Sequence, residues 1–204
     1  MIKITDKVDK KEEGQGNPQE LAEMLMGSQK EIRTIALFGD VDEDKAGDLC
    51  MGLLMLTDLK QDPPPYDPIT FYISSYGGSA DEMFSIYDMM TITKAKCEIH
   101  TIGLGKIMSA ATLLLASGTK GQRKIGRHCR VMIHAVAAGS AGELHNMENE
   151  MKSIKHIQQL YINALSRETH MTKRTIQKLL DRRVNVYLTA EEAVEYGIAD
   201  EIIN

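Results

Sequence analysis

Two residues of this chain have the types and settings that nucleophilic chemistry needs. Ser109 follows the run Gly103-Leu104-Gly105-Lys106-Ile107-Met108 and opens the apolar stretch Ala110-Ala111-Thr112-Leu113-Leu114-Leu115-Ala116. His134 ends the apolar run Val131-Met132-Ile133 at the mouth of a loop. A serine hydroxyl attacks poorly until a base takes its proton, and histidine is the side chain that titrates near neutrality. A serine at a helix start is ordinarily a cap, its oxygen accepting amide hydrogens of the first turn. The same place suits a nucleophile, because helix-start amides and the local dipole favour an oxyanion. The neighbours Met108 and Ala110 exclude the GxSxG elbow. A second turn, Ser74-Ser75-Tyr76-Gly77-Gly78, carries paired glycines that let backbone approach a ligand closely. His100, His128, His145, His156 and His170 have no comparable placement. No HExxH run or carboxylate cluster points to a metal, and no cofactor is expected.

Several elements must position these residues. Thr34–Phe38 reads as a buried strand. A helix follows with Asp42 as its N-cap and Ala46, Leu49, Leu53 and Leu56 at helical spacing, and the Pro63-Pro64-Pro65 run stops it. Ile69–Ile73 is a second strand, and Ser79-Ala80-Asp81-Glu82 opens a helix as a capping box. Ala95–Ile102 and His128–His134 are further strands, and Ser109–Ser117 is a buried helix that stops at Gly118. A long helix from Gly142 to Arg167 carries the stripe Leu144, Met147, Met151, Ile154, Tyr161 and Leu165. Thr172 caps a short helix, Thr189-Ala190-Glu191-Glu192 is a second capping box, and Ile198–Ile203 closes the chain. Strands alternating with helices predict βαβ units and a largely parallel sheet. Residues 1–17 are polar and end in glycine, which predicts a flexible arm before a single domain over 18–204.

Composition narrows the function. The 204 residues suit one domain, and 43% hydrophobic residues supply a core. A net charge of −5 disfavours a nucleic-acid role. The basic segment Lys120, Arg123, Lys124, Arg127 and Arg130 reads as a solvated connector or a subunit contact. Cys50, Cys97 and Cys129 are odd in number and widely spaced, as expected of reduced thiols rather than a disulfide frame or a zinc site. The polar start is no signal peptide, and no apolar run is long enough to span a bilayer, so a cytoplasmic location is expected.

Longer motifs make the pattern specific. FYISSYGGS resembles the strand and turn YINSPGGS of ClpP, the proteolytic subunit family of the Clp protease. TIGLGKIMSAATLLLASGTKGQR resembles that family's nucleophile segment without a gap, VMIH resembles its R-I-M-I-H, and YLTAEEAVEYGIADEII resembles its ending. The resemblance runs from about Thr34 to Asn204. It implies an α/β fold of crotonase type, a spiral of βαβ units with a protruding handle helix matching Gly142–Arg167. It implies a serine endopeptidase with Ser109 as nucleophile, His134 as catalytic histidine, and the amides of Gly77 and Ala110 as the oxyanion hole. It further implies a homo-oligomer of two stacked heptameric rings, fed with unfolded polypeptide by an AAA+ ATPase, with Tyr72 at an apolar docking position for that ATPase.

Departures qualify the likeness. Asn185 stands where the family has the triad's aspartate. Losing that acid costs on the order of 10⁴ in turnover in a trypsin-like enzyme, although Asn orients histidine in Cys-His-Asn proteases. Asp181 lies four residues earlier and serves only with a different backbone. Tyr76 replaces the turn proline, and AVAAGSAGE follows His134 in place of a Gln-Pro loop. The alternatives are a weakly active or inactive ring subunit needing a partner paralogue, a phage-type capsid-maturation protease, and a crotonase-class acyl-CoA enzyme.

Overall fold

Seven strands and six helices can be traced in the computed structural model, which describes residues 32–58, 66–139 and 141–203. The expected arm and the proline run lie outside those residues. The strands are β1 Thr34–Phe38, β2 Tyr66–Ser75, β3 Cys97–Met108, β4 Arg123–Gly126, β5 Arg130–Ile133, β6 Val186–Leu188 and β7 Glu201–Ile203. The helices are α1 Glu43–Asp58, α2 Ala80–Lys94, α3 Ala110–Ala116, α4 Leu144–Glu168, α5 Lys173–Leu180 and α6 Ala190–Glu195. Arg33–Asn204 form one compact unit.

All strand pairs are parallel except β5 with β6, as the alternation of strands and helices predicts. The main order is β1-β2-β3-β4-β7. β3 is the hub, because the sheet forks on it. Its middle, Thr101–Gly103, pairs with β4, whereas its end, Lys106–Met108, pairs with β5. The fork comes from a bulge. Between Ile73↔Gly103 and Ser75↔Ile107 the β2 register advances two residues while β3 advances four. Gly105, at φ +65, takes the left-handed backbone this needs. The expectation that β3 ends near Ile102 is therefore corrected, since Gly103 and Gly105 bend the strand without ending it.

Capping chemistry fixes the helix starts. Asp42 Oδ1 accepts from Lys45 N–H at 2.9 Å, Ser79 Oγ from Glu82 N–H, and Thr189 forms a full capping box with Glu192. Every residue of α3 is buried, including Leu113, Leu114 and Leu115 at 0% exposure. Burying each such leucine contributes about 2 kcal/mol. On α4 the apolar stripe divides. Tyr161 and Leu165 enter the core, whereas Leu144, Met147 and Met151 remain exposed on this chain.

Among the cations of the basic segment, expected to be a solvated connector or a subunit contact, Arg123 alone is buried. Arg123 opens β4 and is 2% exposed. Its Nε donates to Asp200 Oδ2 at 2.8 Å and one terminal nitrogen to Asp200 Oδ1 at 2.5 Å. The other donates to the carbonyls of Ala116 and Glu168. One guanidinium thus ties together α3, α4, β4 and the approach to β7. Burial alone would raise the Asp200 carboxyl, but hydrogen bonds and charge from Arg123 outweigh it and hold it below the ordinary aspartate value. A carboxyl depressed in the folded state adds stability above the ordinary aspartate pKa and loses it as pH falls toward the folded value. Asp200→Asn should cost about 3 kcal/mol by stranding the buried guanidinium charge. Thermal unfolding should record a Tm lower by roughly 10 °C, with the wild-type difference shrinking at acid pH.

Candidate active site

The turn from β3 into α3 sets Ser109 at φ 55, ψ −120. A positive φ is strained for any residue with a Cβ, at roughly 1–3 kcal/mol. Three hydrogen bonds hold it there. Ser109 N–H donates to the Met132 carbonyl at 2.8 Å, and the Ser109 carbonyl accepts from Thr112 N–H at 3.0 Å and Tyr161 O–H at 3.2 Å. The side chain makes no capping bond. Ser109 Oγ instead lies 2.8 Å from His134 Nε2. The sequence leaves open whether this serine caps a helix or attacks a substrate; its hydroxyl turns away from the helix it begins and toward a base.

His134 reaches this position because β5 lies beside the end of β3, with Met108 opposite Met132. It is half-buried, and burial lowers its pKa below the ordinary histidine value. The imidazole is therefore neutral at pH 7 and able to accept a proton. Asn185 lies just before β6. The antiparallel ladder ends with Ile133 paired to Val186, and His134 and Asn185 are the residues that lie directly beyond that last pair. The Asn185 side chain is exposed and makes no hydrogen bond among the described residues. Asp181, considered as a substitute, is exposed and accepts from Gln177 Nε2 at 2.8 Å.

The glycine turn meets the serine turn directly. A Cβ on Gly77, at φ +96, would lie 2.7 Å from both the Met108 carbonyl oxygen and Ser109 Cβ. Gly77 is therefore needed for approach, but its N–H donates to Ser75 Oγ at 3.0 Å. That bond occupies the amide expected to serve as an oxyanion donor. Gly78 is the better placed. Val41 bridges its two neighbours, donating to the Gly77 carbonyl and accepting from Ser79 N–H, which leaves Gly78 N–H without an acceptor among the described residues. Gly78 also lines the cleft over Ser109, as does Ala110, whose N–H begins α3. Two adjacent glycines look alike in sequence, and only the bridge to Val41 separates their roles.

The cleft has a volume of about 370 Å³. Met83, Val136, Ala137 and Ile157 give it an apolar wall, and Tyr76 stands at its edge. No carboxylate lines it, so the acidic base that a crotonase-class acyl-CoA enzyme requires is missing from this lining. The cysteines offer no competing nucleophile. Burial raises the Cys97 thiol, and pushes that of Cys129 up to about 11, well above physiological pH. Among the described residues no group of His, Cys, Asp and Glu could hold a metal ion.

The sequence is similar to those of known proteins. The family model described as Clp protease matches residues 18–204. The chain is similar to ATP-dependent Clp protease proteolytic subunit 2 of Corynebacterium jeikeium, 38% identical over 175 residues, covering 85% of this chain and 80% of that one. It is likewise 38% identical over 176 residues to proteolytic subunit 3 of Nocardia farcinica, covering 85% and 76%. Subunit 2 of Mycobacterium leprae is 38% identical over 175 residues, covering 85% and 78%.

Sequence reasoning passed over Tyr161 except as a core residue of α4. It is 5% exposed, and its hydroxyl spends its hydrogen on the Ser109 carbonyl. Tyr161→Phe should leave the fold intact and lower kcat for a peptide substrate about fivefold, the loss of one modest hydrogen bond. KM should change little, and steady-state kinetics separates the two.

Proposed function

Because this chain belongs to the Clp protease family, we propose that it cuts peptide bonds with Ser109 as nucleophile and His134 as general base. It is a Clp-type serine protease subunit, a hydrolase of peptide bonds. One observation carries the assignment of roles: the 2.8 Å contact between Ser109 Oγ and His134 Nε2 in a serine that caps nothing.

The reaction follows from this geometry. A substrate carbonyl lies over Ser109 with an apolar side chain against Met83 and Ile157. Ser109 Oγ attacks the carbonyl carbon as its proton passes to His134 Nε2. Negative charge gathers on the carbonyl oxygen, where the amides of Gly78 and Ala110 donate to it. His134 then gives the proton to the leaving amine, and the C–N bond breaks. Water, deprotonated by His134, attacks the acyl-serine and releases the second product. Asn185 stands near the imidazole without a hydrogen bond to it, and being neutral it lends no charge to the imidazolium.

The protein works as an oligomer with an ATP-dependent partner, in keeping with relatives named as proteolytic subunits of an ATP-dependent protease. Two stacked heptameric rings fit the exposed stripe Leu144, Met147 and Met151 as the contact between rings. An AAA+ unfoldase supplying unfolded polypeptide and a cytoplasmic location belong to the same proposal. Among the described residues no helix is long and apolar enough to cross a membrane. Asn185 favours a second reading, a slow subunit that depends on a more active paralogue.

A fluorophosphonate should label the wild-type chain and fail to label Ser109→Ala, as mass spectrometry would show. A wild-type chain that neither labels nor cuts fluorogenic peptides in any assembly state would sink the proposal. Asn185→Asp should raise kcat at least about tenfold, toward the 10⁴ ceiling that the trypsin-like precedent suggests. It should also move the acid limb of the pH profile. Wild-type activity should fall only below about pH 6.5, because burial lowers His134. A carboxylate beside the ring raises that pKa, so activity should fail at higher pH in the variant.

A further inference from the structure

Beside the cleft, four residues from different parts of the sheet form a continuous strip. Lys106 Nζ sits 4.7 Å from the centre of the Tyr76 ring, and the Arg130 guanidinium carbon 4.7 Å from the centre of the Tyr187 ring. Lys106 and Arg130 are directly paired between β3 and β5. Tyr187 pairs with Met132, two residues along β5 from Arg130 and on the same face. The order across the surface is thus aromatic, cation, cation, aromatic. Both rings are open to solvent, Tyr76 at 63% and Tyr187 at 48% exposure.

Neither cation meets a carboxylate among the described residues. Two neighbouring positive charges repel each other unless something anionic joins them. The rings hold both cations in place from one side and leave their remaining donors free. The strip shares the face of β5 that carries His134, and Tyr76 is also a wall of the cleft. It therefore continues the cleft and does not form a separate patch. Adjacent strands lie about 4.8 Å apart, so the strip spans roughly 14 Å, the length of about four extended residues. The cleft wall itself is apolar and offers an acidic side chain nothing.

We infer that Tyr76, Lys106, Arg130 and Tyr187 form a substrate-recognition strip for Asp and Glu side chains flanking the scissile bond. It follows that this enzyme cuts fastest where an apolar residue is followed or preceded within about four positions by acidic ones. The inference rests on the peptidase reading of Ser109 and His134 and adds a substrate preference to it. With a net charge of −5, the chain as a whole has no general attraction for polyanions, so the preference belongs to this local strip.

The test uses the full chain in its native assembly and two fluorogenic peptides with the same apolar core, one flanked by Glu and the other by Lys. The Glu peptide should show a kcat/KM about five- to tenfold higher at low salt, converging toward the Lys peptide as salt screens the contact. In the double variant Lys106→Gln, Arg130→Gln the ratio should fall to near one while fluorophosphonate still labels Ser109, which certifies an intact site. Where turnover is too slow to follow, protection of Ser109 from the probe by the same peptides gives the same ratio. A wild-type ratio near one, or a preference for Lys, overturns the inference and leaves the peptidase reading standing. Loss of assembly in the variant with the ratio unchanged would make the strip a contact between copies. Inhibition by oligothymidylate without any Glu preference would make it a nucleic-acid surface, and either result overturns the inference. Absence of both labelling and cleavage in wild type removes the peptidase reading and this one with it.

Discussion

The backbone carbonyl of Met132 accepts two hydrogen bonds, from Ser109 N–H at 2.8 Å and from Thr112 Oγ1 at 3.1 Å. The donors are Ser109, which precedes α3, and Thr112 in its first turn, and the acceptor lies two residues before His134. One oxygen thus sets the spacing between β5 and the start of α3. Positioned groups in an enzyme must hold their geometry to a fraction of an ångström for reaction to be fast. Here the requirement is met by backbone and by a buried threonine, which are far stiffer than the reacting side chains. The strain at Ser109 persists because these bonds, the Tyr161 hydroxyl and the Gly77 backbone all oppose its release.

That local frame stands on a wider one. α3 can keep its N-terminus at the end of β3 only if its far end is also held. Arg123 holds it by donating to the Ala116 carbonyl, and the same guanidinium binds the Glu168 carbonyl at the end of α4. Glu168 in turn accepts from the Tyr87 hydroxyl of α2 at 2.8 Å, whose pKa is pushed up to about 12, chiefly by burial. Buried polar networks of this kind stabilise little for their cost, but they penalise any arrangement that leaves one member unpaired. The apolar core around α3 would tolerate small slides of the helix, because hydrophobic burial is not directional. The polar network does not tolerate them. Packing supplies the bulk of the stability, and the buried hydrogen bonds set the alignment on which the 2.8 Å contact between Ser109 and His134 depends.

Much of this could be read in the sequence where a signal was long or repeated. The alternation of strands and helices, the N-caps Asp42, Thr172 and Thr189, and the buried helix after Ser109 all left marks that local chemistry explains. Signals were lost where a residue's meaning depended on a distant partner. Gly103 and Gly105 look like the end of a strand, and only the unequal advance of β2 and β3 reveals a bulge. Arg123 looks like one of five surface cations, and only Asp200, 77 positions away, makes it a buried residue. Strands β4, β6 and β7 have three or four residues each, too few for a period to emerge. In the site, Ser109 and His134 were legible from their place at element ends. The choice of Gly78 over Gly77 depended on which amide was already occupied.

The third position of the site separates geometry from charge. The ladder that closes β5 onto β6 ends at Ile133 and Val186, so His134 and Asn185 leave the same end of it. An asparagine has an amide oxygen able to receive an imidazole N–H, but the Asn185 side chain is exposed and makes no such bond here. It lacks the negative charge that would steady an imidazolium during acyl transfer. Burial of His134 works in the same direction, favouring the neutral ring. Both effects prepare the base to accept a proton, and both make holding that proton costly. In the proposed reaction the transition state pairs an oxyanion with an imidazolium, so stabilisation comes mainly from the oxyanion side, through the amides proposed for that role, Gly78 and Ala110, and the start of α3. A site built this way depends more heavily on its oxyanion donors than a site with a full acid triad. The close seating of Gly77 against Met108 and Ser109, which no residue with a Cβ could provide, is then part of the catalytic arrangement as well as of the fold.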